Sequence, residues 1–138
     1  MASETTRLNG IVSMRSKHTV KDTIDRLVSI VESKGMTVFC RIDHRANAIP
    51  AGLDLRPTEV ILFGNPKAGT ILMQDNQQIA IDLPVKALAY ENESGDVFLM
   101  FIESRWLAGR YGLSSGSDRT VKAIDDGLAL VCTQAAGG

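Results

Sequence analysis

The chain has little of several residue types, and each shortage excludes a class of protein. Two cysteines in 138 residues, Cys40 and Cys132, can build neither a disulfide framework nor a structural zinc site. The longest uninterrupted apolar run, 97–102, is far shorter than the roughly 20 residues that span a bilayer. Residues 1–7 hold no apolar stretch of the kind that a secretory signal needs. We therefore expect a cytoplasmic protein with reduced thiols and no membrane partner.

Neither sign of charge dominates. Fifteen basic and sixteen acidic residues leave a formal net charge of −1, so the chain lacks the strongly basic surface that sequence-independent phosphate binding requires. We expect no nucleic-acid partner. Hydrophobic residues make up 44% of the chain, which is enough for a packed core, and the length fits one domain over residues 1–138.

Apolar periodicity predicts a strand and then a long helix at the start of the chain. Residues 11–16 alternate in polarity, which is typical of a half-buried strand. Thr19 can cap a helix whose apolar residues recur at i, i+4, i+7, i+8 and i+11 from Val20. Gly35 suits a left-handed cap after that helix.

The rest of the chain predicts four more strands and a second long helix. The predicted strands are 36–43, 59–63, 85–90 and 96–103. The second long helix covers about 118–134, and Thr70 and Ser104 are expected to cap short helices. The order β-α-β-β-β-β-α favours an α+β two-layer sandwich with a mostly antiparallel five-stranded sheet.

Two of the predicted strands, around 59–63 and 97–102, are apolar on both faces. Two long helices can cover only one face of a sheet. The other face must meet the intervening loops and short helices or a second copy of the protein. We favour a mixture of the two, and expect a homodimer formed through a sheet face.

The order and spacing of four segments resemble the bacterial family called domain of unknown function 302. The segments are Lys34-Gly35-Met36-Thr37-Val38-Phe39, Ile42-Asp43-His44, Phe63-Gly64-Asn65-Pro66-Lys67 followed by Gly69-Thr70, and Asp82-Leu83-Pro84. The resemblance covers roughly residues 8–112 and leaves 113–138 as a C-terminal helix and tail. It implies a curved antiparallel sheet with two long helices, similar in topology to the TATA-box-binding-protein fold, and it implies homodimers. It implies no established activity and transfers no catalytic residue.

Polar residues at the strand ends are the candidates for a site. His44 follows the second predicted strand, and its imidazole titrates near neutral pH, which suits proton transfer. The structural alternative for His44 is a bond to a backbone carbonyl. Asp82 either ends one element or pairs with His44 as an acid–base couple. Cys40 shares strand parity with Val38 and Ile42, so we interpret it as a small core residue.

The turn Gly64-Asn65-Pro66-Lys67 has two interpretations. Glycine and asparagine tolerate left-handed dihedrals and proline fixes the next bend, which is a structural explanation. The functional explanation is a small anion site formed by exposed amides and the Lys67 ammonium. The turn lacks the spacing of any nucleotide-binding loop.

These features predict an uncharacterised domain that binds a small anionic or amphipathic ligand. The ligand would lie between the sheet and the segments 44–57 and 64–84, and its polar rim would consist of His44, Asn65, Lys67 and Asp82. The alternative is an acid–base enzyme acting on a carbonyl or ester substrate through His44 and Asp82. A third hypothesis is an interaction module whose exposed sheet face is only a dimer interface. We expect no cofactor and no metal.

Overall fold

A six-stranded antiparallel sheet forms one layer of the protein, in a computed structural model that describes residues 5–137. The strands are β1 Thr5–Leu8, β2 Ile11–Ser16, β3 Thr37–Asp43, β4 Thr58–Gly64, β5 Val85–Glu91 and β6 Val97–Ile102. The helices are α1 Val20–Ser33, α2 His44–Ala48, α3 Pro66–Asp75, α4 Ser104–Tyr111 and α5 Asp118–Gly137. Short 3₁₀ turns occupy Ile49–Ala51, Gln77–Asp82 and Ser115–Ser117. The strand order is β1-β2-β6-β5-β4-β3, so the α+β class with two long helices is confirmed.

The sheet has one more strand than the sequence predicted. Strand β1 pairs with β2 through a two-residue turn in which Asn9 has φ 52° and Gly10 has φ 80°, the signs that a type I′ hairpin turn needs. All four residues of β1 are exposed, and so the strand has no apolar alternation that could have revealed it.

The first long helix begins where its sequence predicts. The Thr19 hydroxyl accepts a hydrogen bond from the Asp22 amide at 3.1 Å, which satisfies one unpaired donor of the first turn. Gly35 follows the helix with φ 78°, the left-handed value expected of a C-terminal glycine.

The main core lies between one face of the sheet and the helices α1 and α5. Its fully buried members include Ile24, Leu27, Ile61, Phe63 and Leu99. A smaller core joins α3, α4 and the other side of α5 around Leu72, Leu107 and Val121. Helix α5 therefore packs against the main core on one side and the smaller core on the other. The space between the two cores lies beside this helix.

A β-bulge interrupts the pairing of β3 with β4. Val38 pairs with Phe63 and Cys40 pairs with Leu62, which leaves Phe39 without a partner in β4. The extra residue changes which side chains face the core beyond that point. Cys40 is consequently exposed, so its interpretation as a core residue is wrong.

The second face of the sheet remains half-exposed. Its central apolar side chains are Val60, Leu62, Leu88, Tyr90, Phe98 and Met100; we call them the open face. Tyr90 and Phe98 stack with ring centroids 5.7 Å apart. The segment 44–57 borders this face, because Leu55 and Arg56 share a shallow depression with open-face side chains.

Candidate functional site

An apolar cavity of about 400 Å³ lies at one end of the helical side of the sheet. Its walls come from the end of β4, the starts of β3 and β5, the helices α3 and α5, and the chain between α3 and β5. The lining residues are Met36, Phe39, Phe63, Gly64, Asn65, Pro66, Ala68, Gly69, Thr70, Met73, Ala80, Leu83, Pro84, Val85, Ala123, Ile124, Gly127 and Leu128. None of them carries a charge, and Asn65 and Thr70 are the two with polar side chains.

Asn65 places the start of α3 at this cavity. Its side-chain oxygen accepts a hydrogen bond from the Lys67 amide at 2.9 Å, and Pro66 occupies the first turn, where its missing amide hydrogen costs nothing. The prediction that Thr70 caps the helix is wrong. Thr70 lies inside α3 and its hydroxyl donates to the Pro66 carbonyl at 2.7 Å. The Gly-Asn-Pro turn is thus a helix cap whose asparagine also lines a cavity.

Asp75 ties α3 to the start of α5, the two helices on either side of the cavity. One carboxylate oxygen accepts from the Ser114 amide at 2.8 Å, the Ser114 hydroxyl at 2.9 Å and the Ser117 hydroxyl at 2.6 Å. The bond from the Ser117 hydroxyl, followed by those from Ser114, lowers the pKa of Asp75 below its usual value. These bonds hold the joint before α5 against the end of α3.

Asp82 lies beside the cavity, but its carboxylate is engaged elsewhere. It accepts a hydrogen bond from the Tyr111 hydroxyl and lies 3.6 Å from Nη1 of Arg110, both on α4. The bond to this carboxylate raises the pKa of Tyr111, because it stabilises the protonated phenol. Arg110 also lies over the rings of Trp106 and Tyr111, at 5.9 and 5.5 Å from their centroids. Asp82 therefore joins the wall of the cavity to α4.

His44 lies at the opposite end of the sheet edge. It is the exposed first residue of α2, and the carboxylate of Asp43 caps that helix by accepting from the Ala46 amide at 2.9 Å. Asp43 pairs with Glu59 at the start of β4, whereas Val85, three residues after Asp82, pairs with Phe63 near its end. About 13 Å of strand, at roughly 3.3 Å per residue, separates the two positions. The acid–base hypothesis required His44 and Asp82 to lie in one cleft, and the structure does not place them there.

The expected polar rim is therefore only partly assembled. Asn65 lines the cavity, while Lys67, which is exposed on the first turn of α3, and Asp82 flank it. The segment 64–84 forms a wall as expected, but 44–57 contributes no lining residue.

Sequence reasoning missed the apolar lining of the cavity, including Met36, Phe39 and Gly127. A glycine inside the predicted helix 118–134 was the one visible signal, since glycine weakens a helix and suggests a packing or functional reason.

Two features are absent from residues 5–137. No cluster of three or more histidine, cysteine or acidic side chains in this range is placed to hold a metal ion. No helix in the same range has both the length and the apolar character required to cross a membrane.

Comparison with known proteins identifies the family. The family model described as domain of unknown function DUF302 matches residues 12–131, which is most of the chain. The chain belongs to this family. A crystal structure of an uncharacterised conserved DUF302 protein from Bacillus stearothermophilus superposes with a TM-score of 0.81 and covers 91% of this chain and 98% of that one. Its sequence identity is 18%, so it establishes the DUF302 fold and nothing about a ligand.

Curated relatives share more sequence and bear a functional name. The protein "Fluoride-specific ion channel FluC 1" of Brucella suis is 48% identical over 129 residues, which are 94% of this chain and 51% of that protein. "Fluoride-specific ion channel FluC 2" of Brucella melitensis is also 48% identical, with 48% of its length covered. This DUF302 chain therefore spans about half the length of the curated relatives that it matches.

Proposed function

We propose that this DUF302 domain binds a small, mainly apolar ligand in the cavity between α3, α5 and the end of the sheet. The observation that carries the proposal is a half-enclosed space of about 400 Å³ with an almost wholly apolar lining. Small-molecule sites in proteins are typically clefts of about 300–1,000 Å³ with apolar walls and a few polar groups. Two methionines and two phenylalanines in the lining provide the adaptable surface that suits flat or flexible apolar molecules.

The lining chemistry favours an amphipathic ligand over a wholly anionic one. An ionised group inside the cavity would lose its hydration, and no charged side chain lines the walls to offset that loss. Lys67 is exposed one residue from the lining residue Pro66, so an acidic head group would lie at the rim while the apolar body enters.

The curated relatives indicate the kind of longer protein in which this binding would take place. In them, a segment like this chain is joined to about as much polypeptide again, and the whole is named a fluoride-specific ion channel. We propose that the matched half acts as a ligand-binding domain beside the half that conducts ions, and we assign no ion conduction to this chain.

A pair of matched fluorescent probes tests the proposal. N-phenyl-naphthylamine is neutral, and anilinonaphthalene sulfonate has the same aromatic skeleton with an anionic group. We expect the neutral probe to bind with enhanced fluorescence and to raise the melting temperature. The sulfonate of the anionic probe is attached to the aromatic body itself and would enter the uncharged cavity with it, so we expect that probe to bind at least about tenfold more weakly. Absence of neutral-probe binding, or equal binding of both probes, contradicts the proposed ligand class.

Gly127→Leu is expected to abolish binding of the neutral probe without destabilising the protein. A Cβ added at Gly127 meets nothing within 4 Å, so the leucine side chain has room to enter the cavity. Leucine also favours a helix by somewhat less than about 1 kcal/mol relative to glycine. The measurements are the probe titration and the melting temperature.

Gly109→Leu is the matched control for that variant. Gly109 is in α4, a Cβ added there also meets nothing within 4 Å, and it does not line the cavity. We expect it to bind the probe like the parent. A folded Gly127→Leu protein that also binds like the parent would show that the probe does not enter this cavity.

We also propose that two copies associate through the open face. The five longer strands, about 4.8 Å apart and roughly 20 Å long, provide on the order of 500 Å² before side-chain relief is counted. This approaches the roughly 800 Å² that each partner buries in a standard interface. Ile49 and Leu53, 69% and 66% exposed in the bordering segment, add apolar area. Covering this surface explains why Leu62, Leu88 and Met100 are apolar.

Leu88→Glu is expected to convert the dimer to a monomer, because it places a charge at the centre of the open face. Light scattering should give twice the chain mass of 14.9 kDa for the parent and 14.9 kDa for the variant. Leu130→Glu, at an exposed position of α5, is the matched control and should leave the dimer intact. A monomeric parent contradicts the proposal.

A cytoplasmic location remains our proposal for the compartment. Cys40 is an exposed free thiol, which persists in a reducing environment. Burial raises the pKa of the other thiol, Cys132, to about 12, so that thiol stays protonated and unreactive.

A further inference from the structure

Phe39 differs from every other large apolar side chain that lines the cavity. Phe63 and Val85 lie on strands that have a neighbour on each side, and Leu128 lies on a helix between two cores, whereas Phe39 lies on β3, an edge strand of the sheet. Its side chain is 50% exposed, although it belongs to the lining. Phe39 therefore stands where the cavity meets solvent.

The β-bulge determines this position. Val38 and Cys40 are paired with β4, and Phe39 between them is the extra residue. The side chain of Phe39 therefore does not follow the alternation between the two faces of the sheet that holds for the rest of the strand. Bulges redirect side chains, and they are common next to functional sites. A bulge also protects an edge strand against pairing with another chain, but that role is independent of which residue occupies it. A large aromatic residue that is half-exposed at the bulge needs its own explanation.

We infer that Phe39 is the gate of the cavity, closing over a bound ligand and slowing its dissociation. The inference rests on the proposed ligand-binding function. With a ligand bound, the Phe39 ring covers the apolar body at the mouth and removes its own exposed surface and that of the ligand from water. The inner walls, formed by buried or helix-borne side chains such as Phe63 and Ile124, stay in place. The edge position leaves the ring free to change rotamer while the sheet remains intact.

Stopped-flow fluorescence with N-phenyl-naphthylamine tests the gate. We expect Phe39→Ala to increase the dissociation rate about tenfold or more and to change the association rate much less, since interface changes act mainly on dissociation. Phe39→Leu should give an intermediate rate, because it restores part of the cover. Ile81→Ala is the control: Ile81 is 80% exposed and follows the lining residue Ala80, but it does not line the cavity, so its rates should match the parent.

The outcomes separate the gate from the proposed function. If the parent binds the probe, Gly127→Leu does not, and Phe39→Ala dissociates like the parent, the gate is overturned and the binding site stands. If the parent does not bind the probe, the proposed function falls and the gate falls with it. A melting temperature for each variant verifies that the comparison is made between folded proteins.

Discussion

Replacing Phe63 with alanine is expected to lower the free energy of unfolding by about 3–5 kcal/mol, the range for large aromatic deletions in a packed interior. Phe63 is 1% exposed, packs in the main core and forms an inner wall of the cavity. The deletion removes apolar contacts with α1 and the sheet, and the space it leaves joins the existing cavity. Urea denaturation of parent and variant measures the change.

Phe39→Ala is the matched control, because it deletes the same atoms from a ring that is 50% exposed. We expect it to cost less than about 2 kcal/mol, since half of the surface is already in water. Equal costs at the two positions would show that Phe63 is not the core wall that its burial indicates.

Local signals in the sequence were sufficient for the two long helices and most strands. The cap at Thr19 and the glycine after α1 are decided by residues within one or two turns of one another, and the structure reproduces both. The hairpin β5–β6 depends on equally local turn residues and also matches. Helix Ser104–Tyr111 is present, but the prediction that Ser104 caps it is wrong: Glu103 holds the cap position without a side-chain bond. The Ser104 and Arg105 amides instead donate to the carboxylate of Asp125 at 2.6 and 3.1 Å, a partner about 20 residues away that local signals do not reveal. Strand β1 was not predicted, because a strand whose residues are all exposed has no alternation of apolar and polar side chains.

The bulge at Phe39 shows where parity arguments fail. Assigning Cys40 to the core assumed that the strand alternates without interruption from Val38 to Ile42. Pairing with β4 decides otherwise, and register is a property of two strands whose paired residues are 16 or more positions apart in the chain. The same bulge brings Phe39 to the cavity, so one non-local feature accounts both for the error at Cys40 and for the missed lining residue.

Antiparallel pairing explains the outcome at the candidate site. Strands β3 and β4 run in opposite directions, so the residues that follow each of them lie at opposite ends of the pair. His44 follows β3 and Asn65 follows β4; the two therefore cannot share a rim. Asp82 comes shortly before β5 and so lies at the same end as Asn65.

The apolar lining could not be predicted from the sequence for another reason. An apolar residue that lines a cavity, such as Met36 or Ile124, shows the same sequence pattern as a core residue, and only the packing of the folded chain distinguishes the two.

Gly10→Ala is expected to cost about 3 kcal/mol through two separate effects. Gly10 has φ 80°, a conformation that strains an alanine by roughly 1–2 kcal/mol. An added Cβ would also lie 2.7 Å from the Trp106 Cβ and closer still to its ring, which is overpacking of the kind that costs about 1–3 kcal/mol. Urea denaturation measures the total.

Two variants separate these effects. Gly95 has φ 83° in the β5–β6 loop and an added Cβ there meets nothing within 4 Å, so Gly95→Ala should show only the backbone strain. In a Trp106→Ala background, Gly10→Ala should likewise cost only about 1–2 kcal/mol, the strain alone. A Gly10→Ala cost that is the same with and without Trp106 would contradict the contact.

The expected coupling between Gly10 and Trp106 also concerns how the β1–β2 turn is attached to α4. The β1–β2 turn is joined to the start of α4 by a bond from the Glu103 amide to the Gly10 carbonyl at 2.8 Å and by Arg7 with Glu103 at 2.7 Å. Trp106 packed on Gly10 is the apolar part of that junction. Because α4 also holds Asp82 through Tyr111 and Arg110, a hairpin displaced by Gly10→Ala would loosen the helix that holds one wall of the cavity. Probe binding by Gly10→Ala should therefore weaken, while Gly95→Ala, which has no such connection, should bind like the parent.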